Sequence, residues 1–243
     1  MKPGPRCEKI FLSLLYTICG MSTLYIVSTP IGNLGDITYR AVEVLKSVDL
    51  IACEDTRVSS KLLVKYQIDK PLVAVNDFNE SSKIVQVLSI LREGKNVALI
   101  SDAGTPLISD PGYKIVREAI GSGFKVESIP GPSAALAALT VSGLPSDKFT
   151  FCGYLPKKDG KRKSVLESVK KNVETVKSTS IFYESPYRIV KTLEDIKNVF
   201  GDVDIVICRE LTKLHEEVRR EKISQSIEHF SRTLPKGEFV ILI

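Results

Sequence analysis

The sequence predicts an α/β protein of two domains, a mainly parallel N-terminal sheet followed by a mixed C-terminal one, with a cleft between them. Three features carry that prediction. From Met21 onward, apolar runs alternate with helical periodicity, the pattern of a parallel sheet covered on both faces. Gly143-Leu144-Pro145-Ser146-Asp147 then interrupts the alternation, since proline and glycine end a helix and no periodic segment crosses them. Beyond that point sequential strands near the end of the chain indicate a mixed sheet with hairpin pairing. A chain of 243 residues is long enough for two domains of about 100 to 120 residues each. We place them at 21–143 and 144–243.

The elements follow in order. Strands are expected from Leu24 to Ser28, Leu50 to Glu54, Leu72 to Val75, Val97 to Ser101 and Lys125 to Ile129. Helices are expected between them, from Thr38 to Lys46, Val58 to Tyr66, Ser81 to Arg92 and Tyr113 to Ile120, with Gly94 and Gly123 standing where helices stop. An alanine-rich helix from Ser133 to Val141 closes the first domain, and its small side chains permit close packing against a sheet or a ligand. The second domain reads as strand Phe149 to Leu155, helix Ser164 to Asn172, strand Ser180 to Glu184, helix Tyr187 to Val199 and strand Val203 to Arg209. Glu217 to Ile223, a helix from Ser226 to Arg232 and the strand Phe239 to Ile243 complete it.

The apolar and charged fractions are those of a soluble globular protein, and the net charge of +5 permits an anionic partner without demanding one. The five cysteines, Cys7, Cys19, Cys53, Cys152 and Cys208, are scattered and odd in number. That argues for a reducing compartment and against a disulfide framework. His215 and His229 lack neighbours at ligand spacing, so no metal is expected. Lys2, Arg6 and Lys9 precede the apolar run Ile10 to Cys19, which superficially resembles a secretory signal. It is too short to span a bilayer and no small-x-small cleavage site follows. Met21 stands directly before the first clear strand, so residues 1–20 read as an upstream extension or a misread start of a cytoplasmic protein.

Chemistry-bearing residues gather in the loops that leave the strands at their carboxyl ends, where open α/β sheets bind ligands. Thr29-Pro30-Ile31-Gly32-Asn33-Leu34-Gly35-Asp36 is neither a dinucleotide fingerprint nor a Walker loop. It is either a plain turn or a place of close backbone approach. Glu54-Asp55-Thr56-Arg57 sets two carboxylates beside a guanidinium. There Arg57 can grip a phosphate and a carboxylate can accept a proton; the plainer alternative is an N-cap at Asp55 or Thr56 with a local ion pair. Ser101-Asp102-Ala103-Gly104-Thr105-Pro106-Leu107-Ile108-Ser109-Asp110-Pro111-Gly112 is a shaped loop, with Asp110 expected to cap the helix that comes after it. Pro130-Gly131-Pro132-Ser133 opens a helix whose first turn offers backbone donors. In the second domain Phe182-Tyr183-Glu184-Ser185-Pro186 ends a strand, with aromatics that serve a site or the core. The basic run Lys157, Lys158, Lys161, Arg162 and Lys163 is either a phosphate-binding loop or a solvated one.

At these residues the sequence resembles the tetrapyrrole methylase superfamily, and within it the ribosomal RNA small subunit methyltransferase I group. The matching stretches are Leu24 to Asp36, Glu54 to Arg57, Ser101 to Gly112, Pro130 to Ala134, Leu144 to Asp147, Phe182 to Ser185, Arg209 to Lys213 and Lys236 to Val240. They run in order across Met21 to Ile243. The Ser101 to Gly112 match is highly specific, and the Glu54 to Arg57 match separates this group from the tetrapyrrole enzymes.

The resemblance implies S-adenosylmethionine in the interdomain cleft and methyl transfer to the 2′-hydroxyl of a cytidine in small-subunit ribosomal RNA near the decoding site. It also implies a homodimer. Carried over by position, the cofactor meets Pro30, Ile31, Gly32 and Asn33, then Asp102, Ala103, Gly104, Thr105 and Pro106, then Ser133, Ala134, Phe182, Tyr183 and the backbone near Leu211. Glu54 and Asp55 are the expected groups for taking or positioning the hydroxyl proton, with Asp102 a further candidate. Arg57 and the basic run are the expected RNA contacts. The family begins near Met21, which supports the reading of residues 1–20. Some relatives continue past the position of Ile243 into a further helical segment. Two other functions stay open at this point: methylation of a tetrapyrrole or other small molecule on the same fold, and RNA binding without catalysis.

Overall fold

The computed structural model describes residues 22–76, 78–232 and 235–243. The expectations for residues 1–20 lie outside these. Two compact units are formed: the first runs to Pro132 but leaves out 31–33, and the second comprises those three residues together with 133–243.

In the first unit β1 (Thr23–Val27), β2 (Leu50–Cys53), β3 (Leu72–Ala74), β4 (Val97–Leu99) and β5 (Lys125–Ile129) form one sheet in the order β3-β2-β4-β1-β5. Every pairing in it is parallel. Parallel strands need cover on both faces, and β2 accordingly is buried at all four positions. On one face α1 (Tyr39–Ser47) and α2 (Thr56–Lys65) bring Ala41, Leu45 and Leu63 against Val27, Ile51 and Ala98. On the other, α3 (Glu80–Arg92) and α4 (Tyr113–Gly121) bring Val87, Leu91 and Ile115 against Leu24, Ala52 and Leu99. Each such fully buried leucine or isoleucine contributes roughly 1.5–3 kcal/mol.

This strand order creates a switch point. β1 and β4 are neighbours, yet β1 leads on towards β2 on one side and β4 towards β5 on the other. Helices therefore leave in opposite directions, and a crevice opens at the carboxyl ends of those two strands.

The helix starts show which local signals held. Thr38 caps α1, its hydroxyl accepting the Ala41 N–H at 3.1 Å. Asp55 caps α2 in the same way, accepting the Arg57 N–H at 2.8 Å. Asp110 is not the N-cap residue of α4, contrary to expectation. The N-cap is Gly112, at a φ of 121° with no side-chain hydrogen bond, so the chain enters the helix two residues later.

The second unit is built on β6 (Phe149–Tyr154), β7 (Thr179–Glu184), β8 (Asp204–Arg209), β9 (Glu217–Lys222) and β10 (Phe239–Leu242), ordered β6-β7-β10-β8-β9. β6 and β7 are parallel and the remaining pairs antiparallel, including the consecutive strands β8 and β9. β10 shows the alternation of a strand with different partners on its two faces. Phe239 and Ile241 pack with Leu166, Ile189, Leu193, Ile223 and Phe230 of α6 (Asp159–Val176), α7 (Ile189–Phe200) and α8 (Ile223–Arg232). Val240 and Leu242 pack with Ala135, Ala138 and Leu139 of α5 (Ala134–Ser142).

Two differences from the sequence reading arise from packing. The units divide at Pro132 rather than at Gly143 to Asp147, because α5 lies on the second sheet with its alanines against β7, β8 and β10. α6 starts at Asp159 instead of Ser164 and so absorbs most of the basic run. Asp159 sits in its first turn, where a carboxylate favours the helix dipole. Among the described residues no helix is long and apolar enough to cross a membrane.

Candidate functional site

In the first unit the expected convergence of loops is present and held by named bonds. Thr29 and Gly104 exchange backbone hydrogen bonds at 2.8 and 3.1 Å, zipping the loop after β1 to the loop after β4. The Thr29 hydroxyl donates to the Ser101 carbonyl at 3.1 Å. Thr105 Oγ1 lies 3.0 Å from Ser28 Oγ and donates to the Pro132 carbonyl at 3.1 Å, which ties in the loop after β5. The loop after β2 joins through Asp102, whose Oδ1 accepts the Asp55 N–H at 3.0 Å. Pro30, Gly104 and Pro106 are buried in these loops while Ala103 is exposed, so the turn reaches the surface of the switch point at Ala103.

The carboxylates at this edge differ in character. Asp55 is committed on both oxygens: Oδ1 accepts the Arg57 N–H and Nε at 2.8 and 3.1 Å, and Oδ2 accepts Nη2 at 2.6 Å. Hydrogen bonds from Arg57 hold its pKa down at about 2. Asp102 is half-buried, and desolvation raises its pKa above the ordinary carboxylate value despite the Asp55 amide. Glu54 is half-buried beside them. The cap and ion pair expected as the plainer reading of Asp55 are thus both present, and Arg57 spends Nε and Nη2 on that pair while its side chain stays exposed.

In the second unit Ile31, Ala134, Tyr183 and Leu211 fall in one apolar cluster around α5. The Ala135 N–H in the first turn of α5 donates to Tyr183 Oη at 3.2 Å. Ser133 holds the N-cap position without a side-chain cap bond. Phe182 points to the other face of the sheet, fully buried among α6, α7 and α8, which leaves only its backbone for a ligand. Asn33 donates its N–H to Thr212 Oγ1 at 3.1 Å. Gly32 lies so close under Lys213 that an added Cβ would stand 2.5 Å from Lys213 Cγ. Lys213 is itself fixed, Nζ donating to Glu210 Oε1 at 2.8 Å and Glu238 Oε2 at 2.9 Å. Glu210 and Thr212 carry positive φ of 50° and 69°, strain of the kind that binding loops retain. The role of Glu210 and Lys213 in seating residues 31–33 was not readable from the sequence, because the partners lie about 180 residues apart.

The basic run divides. Lys157, Lys158, Lys161 and Lys163 are exposed, whereas Arg162 is buried. Arg162 reaches Asp195 and Asp159 at 2.6 Å each and the carbonyls of Pro156 and Lys157 at 3.1 and 3.0 Å. Its guanidinium therefore organises the segment and is turned away from any phosphate.

The donor set suits S-adenosylmethionine. The first unit brings the turn at Ala103, exposed beyond the carboxyl ends of β1 and β4, within reach of the polar groups of that cofactor.

Comparison with known proteins agrees with this geometry. The sequence model of the tetrapyrrole (corrin/porphyrin) methylases matches residues 23–226. The chain is 48% identical to the ribosomal RNA small subunit methyltransferase I of Thermotoga maritima, over 92% of this chain and 98% of that protein. It is 49% identical to the protein of the same name from Mesorhizobium japonicum, over 90% of this chain and 74% of that one. Among solved structures, cobalt precorrin-4 methyltransferase superposes with a TM-score of 0.67 at 18% identity, covering 90% of this chain and 94% of that one. A diphthine synthase superposes at 0.68 with 15% identity, over 91% and 89%. Those two likenesses concern the fold alone. With the switch-point loops, the family match and relatives near half identity all in accord, the chain belongs to the tetrapyrrole (corrin/porphyrin) methylase family.

Proposed function

We propose that this chain transfers a methyl group from S-adenosylmethionine to the 2′-hydroxyl of a cytidine in small-subunit ribosomal RNA, near the decoding site. The observation that carries the reading is the knot of loops at the switch point, where Asp102 receives the Asp55 amide. Glu54 to Arg57, whose resemblance separates the RNA-modifying group from the tetrapyrrole enzymes, is thereby bonded to the Ser101 to Gly112 loop. Names of relatives near half identity support the RNA substrate.

In the first unit the cofactor meets Pro30 and the backbone of Ala103 to Pro106 at the switch point. When bound, S-adenosylmethionine supplies a methyl group on a sulfonium, already a strong electrophile. The protein's task is positioning and proton removal. Asp102 takes the ribose proton: burial raises its basicity, while Asp55, held at about 2 by Arg57, is a weak base. Asp55 positions Arg57, and Glu54 stands beside them to orient the hydroxyl. Arg57, Lys157, Lys158, Lys161 and Lys163 meet the phosphate backbone. The active form is a cytoplasmic homodimer.

The test is methyl transfer from labelled S-adenosylmethionine to small ribosomal subunits lacking the modification, with the product mapped by resistance to alkaline cleavage. A single protected ribose is expected. Cofactor binding with no incorporation into RNA would transfer the assignment to a small-molecule acceptor on the same fold.

A further inference from the structure

Tyr154 belongs to none of the groups already assigned a role, yet its placement is unusual. It ends β6, and β6 pairs in register with β7 until the pairing shifts between Phe151 and Gly153, leaving Cys152 as an extra residue. Gly153, next to this irregularity, adopts a φ of 61°, a conformation that other residues rarely accept. In a strand, one inserted residue reverses the face of every side chain after it. Here the shift brings Tyr154 opposite Tyr183, so that Phe151, Tyr183 and Tyr154 form a single aromatic row. Phe151 and Tyr183 meet edge to face at 4.9 Å, and Tyr183 and Tyr154 at 5.8 Å. The inner members pack by α5, but Tyr154 remains 53% exposed.

The residues after Tyr154 give that exposed ring a context. Leu155 is buried in the core. Its carbonyl accepts Arg188 Nη2 at 2.8 Å, and the next two carbonyls are held by Arg162. The backbone from Tyr154 into the lysines is thus fixed. Lys157 stands three residues on, within about 10 Å of chain, and Lys158, Lys161 and Lys163 are also exposed. An aromatic platform beside exposed cationic side chains on a fixed backbone is the arrangement that binds single-stranded nucleic acid, bases stacking while lysines neutralise phosphates.

We propose that Tyr154 is the stacking surface for a nucleobase of the RNA strand, setting which nucleotide is presented for methylation. This rests on RNA being the methyl acceptor. The lysines speak against the alternative occupant, the base of the cofactor, since they complement a polyanion.

The sequence contains no tryptophan, so Tyr154→Trp introduces a single fluorescent reporter at this position. We expect its emission to be quenched on adding unmodified small-subunit RNA and unaffected by S-adenosylmethionine alone. Tyr154→Ala should raise the KM for RNA about 5- to 150-fold, the range for loss of one stacked base. Its cofactor affinity and melting temperature should match those of the unaltered protein, and Tyr154→Phe should restore the KM. Quenching by the cofactor alone, or a Tyr154→Ala enzyme with an unaltered KM for RNA, overturns the inference while leaving the RNA methyltransferase reading intact. If the unaltered protein transfers no methyl group to RNA, that reading falls, and this inference with it.

Discussion

Replacing Arg162 separates two roles that the sequence left equivalent. Arg162→Met keeps the aliphatic stem and removes a guanidinium that is only 3% exposed. Asp159, 79% exposed, regains water and costs little. Asp195, 19% exposed, loses its 2.6 Å partner but keeps Lys191 at 3.4 Å. The carbonyls of Pro156 and Lys157 lose the donors that fixed them. Hydrogen bonds to a charged donor contribute about 1.5–3 kcal/mol each, and a buried ion pair broken on one side costs about 3–5. Allowing for the exposed partner, the expected loss is about 2–4 kcal/mol, or about 4–16 °C in melting temperature. Thermal unfolding followed by far-ultraviolet circular dichroism measures it, with RNA affinity measured in parallel below the transition. A variant that melts like the unaltered protein but binds RNA more weakly would refute the reasoning, since Arg162 would then be a phosphate contact.

Other outcomes are expected at the site. A base works only when ionised and burial raises the Asp102 pKa, so activity should climb with pH across a window above the ordinary carboxylate value of about 3.9. Asp102→Asn should abolish that limb with a loss of about 10²–10⁴ in kcat; an unchanged pH–rate profile would remove Asp102 from the role. Each Lys→Ala change among Lys157, Lys158, Lys161 and Lys163 that removes a phosphate contact should lower the salt slope of RNA binding by about 0.7, and slopes unaffected in all four would place the RNA elsewhere. Gly32→Ala should force Lys213 off Glu210 and Glu238 at about 1–3 kcal/mol and weaken cofactor binding, as read by urea unfolding and calorimetry. Thr192→Val leaves the buried Glu184 without the 2.6 Å hydroxyl donor, at about 1–3 kcal/mol by urea unfolding.

Much of this architecture was legible because parallel strands must be apolar throughout and loops at their carboxyl ends must be shaped. The run Val97 to Ser101 and the loop to Gly112 are examples. Features set by contacts distant in sequence escaped. α5 reads as the last helix of the first domain, and only its alanine contacts with β7, β8 and β10 assign it to the second unit. The run Lys157 to Lys163 reads as a loop because its composition is charged and contains Gly160, yet Arg162 bonded to Asp195 on α7 secures the first turn of α6. Asp110 has the right side chain for a cap, but the backbone at Gly112 set the helix start. Tyr154 gave no signal at all, since the bulge that turns it exists only in the pairing of β6 with β7.

The carboxylates at the sheet edge show why residue type and spacing stop short of assigning chemistry. Asp55 and Asp102 lie just beyond neighbouring strands of one parallel sheet, β2 and β4, and sequence offers both as proton acceptors. Asp55 lies next to the helix it caps and two residues from an arginine that can close on it, so both its oxygens are spent locally. A carboxylate so satisfied is a poor base however well placed. Asp102 has no such neighbour in its own turn and accepts the Asp55 amide instead, a bond that orients it while burial raises its proton affinity. The same residue that forfeits basicity to Arg57 therefore positions, through its backbone, the one that retains it. Asp55→Asn removes a negative charge that helps to raise the Asp102 pKa and leaves Arg57 unneutralised, so it should move the acid limb to lower pH, whereas Asp102→Asn should remove that limb.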